Sequence, residues 1–482
     1  MKQPIVACAA GDGIGPEIMS AVRRILDSAG APIQWNDILL GEQAYLAGHS
    51  AGIPPEAWGI IRNADAILKA PLTTPQGGGY KSVNVTLRKS LGLYANVRPC
   101  VGYAPFVPTR HPGIDLVIVR ENEEDLYAGI EHRQTDDVVQ CLKLITRPGC
   151  ERIVRYAFEY ARANGRSKVT CMSKDNIMKL TDGLFRSVFE EIANDYPEIA
   201  TEHMIIDIGA ARLADSPERF DVIVTGNLYG DILSDIAAQV AGSVGLAGSS
   251  NIGMHGALFE AVHGSAPDIA GNDIANPSGL LQAAVQMLVH LGFPALATTI
   301  QNAWLCTLEE GIHTADIRPE NGTGTCVGTR AFADAVIERL GRRPATLRPA
   351  SFAASPTARP VLATTENRPP ADKVLVGVDV FVHWRGSDPS ELAARLTESL
   401  PSPWKLSMIT NRGVKVWPNG LPETFCTDHW RCRFKADDGS PVSNRAVLHL
   451  LDNLETLGVD FIKTEQLYEF DGVPGYAVAQ GQ

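Results

Sequence analysis

The sequence of 482 residues has no apolar run near the ~20 residues that a bilayer-spanning helix requires, so a membrane protein is not expected. It has no C-x-x-C pair. Its nine cysteines are scattered without metal-ligand spacing, and read as reduced cysteines of a cytoplasmic protein rather than a disulfide framework or zinc site. Positive charge is in short supply: Lys and Arg number 43 against 55 Asp and Glu, a formal net charge of -12. That balance argues against non-specific attraction to nucleic acid or an acidic membrane, and leaves anion binding to a local basic pocket. The opening stretch MKQPIVACAAGDGIGPE lacks the apolar core of a secretory signal and reads as a first strand. GDGIG at 11–15 does not complete a dinucleotide fingerprint either, because Pro16 and Glu17 follow Gly15 and position 18 is Ile. With Pro16 suited to the first residue of a helix, a tight strand-to-helix turn that borders a ligand at most is the better reading.

What is present is an ordinary globular balance, 45% hydrophobic and 20% charged, over a length that implies two or more folding units. Up to about residue 340, short apolar runs such as DLVIVREN (115–122), VTCMSK (169–174) and VIVTGN (222–227) alternate with helical patterns. That alternation predicts an α/β fold with a parallel or mixed sheet and ligands at the carboxyl ends of its strands. From 341 to about 371 the chain is rich in Pro, Ala, Ser and Arg without period and reads as an exposed linker. Residues 372–482 then form a smaller α+β domain, with strands expected at VLVGVDVFVHW, VKVWP, WRCRFK and FIKTEQLYEF, and helices at DPSELAARLTESL and NRAVLHLLDNLETL.

NLYGDILSDIAAQVAGSVG (227–245) is a helix whose apolar stripe is expected to be Ile232, Leu233, Ile236, Ala237 and Val240. Asp231 and Asp235 stand four apart beside it and project the same way. They fit either a solvated acidic face or a hard divalent cation that takes oxygen ligands. Arg88, Arg98 and Arg120 lie in apolar settings and suit a multiply charged anion through their forked donors, although spacing alone does not bring them together. Tyr127 and Lys174 are candidate proton-transfer groups, each requiring an environment that tunes a pKa near ~10. In EAVHGSAPDIAGNDIANP (260–277), Asp268 is placed to accept hydrogen bonds from a ribose and to repel a 2′-phosphate.

Together APLTTPQGGGYKSVNVTLR, RENEEDLYAGIE, SKDNIMK, NLYGDILSD and EAVHGSAPDIAG resemble, in order, the motifs of the isocitrate/isopropylmalate (β-decarboxylating) dehydrogenases over residues 4–340. Within that family the sequence resembles the NAD-type isocitrate dehydrogenases in their longer bacterial form. The resemblance implies the family's two-lobed fold over 1–340, a linker over 341–371 and the extra domain over 372–482. It implies isocitrate as substrate, with Ser82 and Asn84 on the γ-carboxylate and Arg88, Arg98 and Arg120 on the others. Mg²⁺ or Mn²⁺ would be held by Asp207, Asp231 and Asp235, and Tyr127 and Lys174 would be the acid/base pair. Thr73 would lie at the nicotinamide end of NAD, with His263, Gly264, Asp268, Ile269 and Asn276 along the rest of the cofactor. Asp268–Ile269 replaces a Lys-Tyr pair of NADP-using relatives, which favours NAD. Glu123 stands where many relatives carry Ser or Thr. Lys174 and Asp207 would serve the partner's site, which implies a homodimer. Isopropylmalate, homoisocitrate or tartrate remain alternative substrates, and a catalytically silent regulatory subunit is the reading from another class. The extra domain resembles, loosely, a ferredoxin-like order of elements.

Overall fold

The structure, a computed structural model, describes residues 3–75, 81–319, 324–352, 369–477 and 479. The centre of the expected glycine-rich motif (76–80) and most of the expected linker (353–368) lie outside these residues. No helix among the described residues is long and apolar enough to cross a membrane. The chain divides into two compact units, 1–128 with 143–364, and 129–142 with 365–482.

In the first unit, strands β1 (Ile5–Ala9), β2 (Gln34–Asp37), β3 (Ala66–Lys69), β4 (Ala95–Val101) and β5 (Asp115–Glu121) come first. A hairpin of β6 (Glu131–Arg133) and β7 (Val139–Cys141) belongs to the other unit. The sheet is completed by β8 (Lys168–Ser173), β9 (Ala200–Ile205), β10 (Val222–Thr225), β11 (Gly248–Ile252) and β12 (Ala257–Ala261). Its order is β2-β1-β3-β12-β11-β4-β5-β10-β8-β9. β11 runs antiparallel to β12 and β4, and β4 antiparallel to β5, whereas the flanking pairs are parallel, so the sheet is mixed as the strand–helix alternation predicts. Its apolar strands, such as β5 with Leu116–Val119, are buried on both faces beneath helices.

Several local expectations are corrected. VTCMSK does not lead directly into a helix: residues 174–180 form turns and the helix is Thr181–Ala193. The helix Asn227–Ala241 does not bury the whole stripe expected of it. Leu233 and Ala237 are buried beside Ser234, Ala238 and Ala241, while Ile232 is 53% exposed. Residues 342–352, expected as exposed linker, are mostly exposed but are held to the helix Pro294–Glu309. The Glu309 carboxylate accepts the backbone N–H groups of Ala345, Thr346 and Leu347, and Asn302 exchanges two hydrogen bonds with Ala350. A carboxylate that collects three amides fixes a segment whose composition alone suggests none.

After a two-residue ladder of β13 (Ile312–His313) with β14 (Thr325–Cys326), the second unit holds β15 (Lys373–His383), β16 (Trp404–Asn411), β17 (Val414–Trp417), β18 (His429–Ala436), β19 (Phe461–Phe470) and β20 (Val473–Pro474). The sheet order is β17-β16-β18-β15-β19-β20, with the two expected helices at Pro389–Thr397 and Asn444–Thr456. Its four long strands and two helices follow the ferredoxin-like βαββαβ order. β16 is an additional strand that the sequence reading leaves unassigned, although Trp404, Leu406 and Met408 alternate inward with Lys405 and Ser407. The hairpin is tied to this unit by Thr135 Oγ1, which donates to Asp428 at 2.6 Å, and by the Asp136–Arg385 ion pair.

Candidate active site

The carboxyl ends of β3, β5, β8, β10 and β12 carry Lys69, Arg120, Lys174, Asn227 and His263 within two residues of the last strand residue. The geometry around Asp231 is the centre of the arrangement. Arg120, 1% exposed, donates from Nε and Nη2 to Asn227 Oδ1 (3.1 and 2.8 Å) and from Nη1 to Asp231. Arg98 Nη1 donates to Ser234 Oγ at 2.5 Å and lies 3.4 and 3.6 Å from Asp231 and Asp235. Tyr127 donates its phenolic proton to Asp231 Oδ2 at 2.5 Å, its ring 5.0 Å from the Arg120 guanidinium. Burial pushes Arg120 down to about 10, and the charges of Arg98 and Arg88 add to it, so the three arginines share one electrostatic site. Burial pushes Asp231 up, but Arg120 and Arg98 outweigh it and hold the carboxyl below its ordinary value. Asp235 is raised, by burial first and also by Asp231. Tyr127 is raised by burial and by its bond to Asp231.

Three features hold this geometry. Asp125, buried at φ 64°, accepts the N–H of Leu228 at 3.0 Å in the first turn of the helix Asn227–Ala241, which fixes the loop bearing Tyr127. Glu121, pushed by burial up to about 7, accepts the N–H groups of Glu123 and Glu124, while Glu123 pairs with Arg152 at 2.7 Å. Gly230 lets Arg120 lie against the helix, since a β-carbon there would stand 2.5 Å from Arg120 Cγ and 2.7 Å from its Cβ. Gly230→Ala is therefore expected to lower stability by about 1–3 kcal/mol through overpacking, read as a fall in the urea midpoint.

Arg88 is joined to this group through a buried network absent from the sequence reading. Glu260 takes Lys69 Nζ at 2.7 Å, Arg88 Nη2 at 2.8 Å and Asn251 Nδ2 at 2.8 Å. Arg88 Nε and Asn84 Oδ1 are buried without a partner among the described residues, which leaves hydrogen-bonding capacity for a ligand on the helix Val83–Ser90. Ser82, at the start of that helix, accepts from Thr74 Oγ1 at 3.4 Å.

Lys174 and Asp207 form a separate pair just beyond the ends of β8 and β9, Nζ to Oδ1 at 2.5 Å. No hydrogen bond or ion pair among the described residues links their side chains to Tyr127, Asp231 or Asp235. Within one chain, the expected set of three carboxylates is thus divided. Asp231 and Asp235 are nevertheless hard oxygen donors side by side, and the Asp231 charge that adds to burial in raising Asp235 is a cost of the kind a divalent cation removes.

The cofactor candidates lie around a cleft of about 520 Å³ lined by His263, Gly264, Ile269, Asn276 and Asp316. Asp268 is exposed and adjoins it through Ile269. His263 Nε2 is buried without a partner, and burial lowers the imidazole, which keeps it neutral. Asp316, which the sequence reading passes over, accepts from Ser243, Thr314 and Asn276. The GDGIG turn does border this cleft. Asp12 accepts the Thr73 N–H at 2.8 Å, Thr73 Oγ1 meets Ser265 Oγ at 3.0 Å, and Ile14 N–H donates to Ser265 O. Gly13 sits at φ 57°, where a β-carbon would stand 2.0 Å from Ser265 O.

Comparison with known proteins identifies the family. Residues 5–336 match the isocitrate/isopropylmalate dehydrogenase model, and residues 373–482 match that of the bacterial isocitrate dehydrogenase C-terminal domain. The chain is 53% identical to Rickettsia bellii isocitrate dehydrogenase [NADP] over 99% of both chains. It is 46% identical to subunit 2 of the mitochondrial isocitrate dehydrogenase [NAD] of Saccharomyces cerevisiae, over 68% of this chain and 88% of that one. A crystal structure from Thermus thermophilus superposes with a TM-score of 0.93 at 43% identity, covering 100% of this chain and 96% of the other. Isocitrate dehydrogenase from Methylococcus capsulatus gives 0.67 at 44% identity over 70% of this chain and 99% of that one. With two family models spanning both units and a full-length fold match, the chain belongs to the isocitrate/isopropylmalate dehydrogenase family and carries the C-terminal domain of its bacterial isocitrate dehydrogenases.

Proposed function

We propose that the protein catalyses the oxidative decarboxylation of isocitrate to 2-oxoglutarate and CO₂, with NAD as hydride acceptor and Mg²⁺ or Mn²⁺ bound by Asp231 and Asp235. The convergence of Arg98, Arg120 and Tyr127 upon Asp231, with Asp235 beside it and Arg88 within electrostatic reach, carries this reading. The arginines grip two carboxylates of the substrate, and Ser82 and Asn84 meet the γ-carboxylate from the start of the helix Val83–Ser90. The bound metal supplies Lewis acidity toward the C2 hydroxyl and the adjoining carboxylate. Lys174 of the partner subunit would take the hydroxyl proton, and NAD, held along Thr73, His263, Gly264, Asp268, Ile269 and Asn276, would supply the hydride acceptor. After CO₂ leaves, Tyr127, kept protonated by burial and by Asp231, returns a proton to carbon.

The homodimer in this proposal rests on the separation of Lys174 and Asp207 from the Asp231 group. It also rests on apolar side chains left uncovered on the two helices concerned, Ile208 at 48% and Ile232 at 53% exposure. In the partner's site, Asp207 serves as the third metal carboxylate.

NAD is supported by charge. Among the described residues lining the cofactor cleft there is no Lys or Arg, His263 is held neutral, and Asp316 brings a carboxylate, with Asp268 beside it. Among the described residues lining the cleft, a 2′-phosphate would meet the Asp316 carboxylate and no Lys or Arg. The relatives that match nearly the whole chain, from Rickettsia bellii and Thermus thermophilus, are named for NADP, and the yeast relative named for NAD matches 68% of it, so the NAD proposal rests on the cleft residues alone and against those names. Initial rates with isocitrate and Mn²⁺ test it. NAD is expected to be preferred, and Asp268→Lys/Ile269→Tyr is expected to erode that preference. A native preference for NADP would overturn the cofactor assignment and leave the reaction standing. Inactivity with both cofactors would overturn the reaction.

A further inference from the structure

The second unit holds a cleft of about 530 Å³ between β7 and the C-terminal sheet, lined in part by Phe381, Arg412, His429, Arg431, Lys463 and Glu465. Three permanent cations and a histidine face it against one carboxylate, in a chain whose overall charge is -12. We propose that this cleft is an anion site for a compact phosphate-bearing small molecule, separate from the substrate and cofactor sites.

The cations are only partly neutralised. Glu465 takes Lys463 at 2.8 Å. Asp379, 3.7 Å from Arg431 Nε, is already held by Arg433 through two bonds of 2.7 and 2.8 Å. Arg431 uses Nε on Thr410 Oγ1 and Arg412 uses Nε on Phe425 O, and the terminal nitrogens of both make no hydrogen bond among the described residues. Two forks are therefore left with their outer donors free, the geometry that grips phosphate oxygens. His429 provides the second, independent observation. Only 8% exposed, it lines the cleft with Nε2 buried and unpartnered, a polar atom that costs free energy until a ligand meets it. The Phe381 ring is already covered by Lys463 Nζ at 4.5 Å and by the His429 ring at 5.4 Å, so recognition rests on charge rather than on stacking of a base.

The test uses the full-length protein and inorganic pyrophosphate, titrated calorimetrically without divalent metal. Wild type is expected to bind. Arg431→Gln and Arg412→Gln are each expected to weaken binding by about tenfold, the worth of a hydrogen bond to a charged group, with the KM for isocitrate unchanged. Arg412 is exposed, so its variant keeps the test valid if Arg431→Gln fails to fold. Saturating isocitrate or NAD should leave pyrophosphate affinity unaltered. The proposal is overturned if pyrophosphate does not bind, if Arg412→Gln and Arg431→Gln bind as wild type does, or if isocitrate or NAD displaces it.

Discussion

Tyr127→Phe is expected to lower kcat by about 10²–10⁴-fold, the usual contribution of a positioned general acid, while leaving the affinity for isocitrate close to wild type. The substitution removes one oxygen. The ring stays against the Arg120 guanidinium at 5.0 Å, and Arg120 keeps its partners Asn227 and Asp231. What is lost is the proton whose oxygen sits 2.5 Å from Asp231 Oδ2. Because burial and Asp231 both raise the Tyr127 pKa, the phenol remains protonated at neutral pH and can act as an acid without being reprotonated first. Steady-state rates together with direct isocitrate titration separate the two quantities. A kcat equal to that of wild type would remove Tyr127 from proton transfer, whereas loss of affinity with kcat intact would make it a binding residue.

Glu260→Gln is expected to destabilise the first unit by about 3–5 kcal/mol, the cost of breaking a buried ion pair from one side. Lys69 and Arg88 are both almost wholly enclosed, and each depends on this carboxylate, at 2.7 and 2.8 Å. An amide of the same shape leaves two buried cations facing a neutral group. Burial pushes Glu260 up, but Lys69 and Arg88 outweigh it and hold the carboxyl well below the usual carboxylate range. A depressed folded-state pKa gives stability that is complete above the unfolded glutamate value of about 4.3 and is lost as pH falls below it. Urea unfolding of both proteins should thus show a wide gap at pH 7 that narrows in acid as wild-type Glu260 takes up its proton. A gap independent of pH would mean that packing, not charge, carries the effect.

The strands of the sheet are legible because runs such as LVIV and VIVT are continuous, apolar and bounded by charge, the pattern of strands covered on both faces. The residues around Asp231 are legible as motifs, since Asp231 and Asp235 are local to one helix and Tyr127 to one loop. The Glu260 network is not. Lys69 ends a buried strand and Glu260 stands in another, but nothing local says that partners separated by 172 and 191 positions will meet, and Arg88 is assigned without the group that neutralises it. Asp12 and Asp316 escape notice for the same reason, as their bonds go to loops distant in sequence. The exposure of Ile232 is illegible for a different reason. Periodicity distinguishes apolar from polar faces, but not a face covered by the same chain from one left open.

The hairpin of β6 and β7 is made early and used late. Thr135 and its partner Asp428 are 293 residues apart, so at 5–20 residues per second the ribosome delivers the second roughly 15–60 s after the first. Throughout that interval a two-stranded ribbon, with Val139 67% exposed even in the finished fold, waits for a sheet that has not yet been synthesised. Nascent chains stalled within that window should be cut at 129–142 by proteases that spare the completed protein. The C-terminal unit is therefore not a detachable appendage, since its removal takes from the ribbon the partners of Thr135 and Asp136.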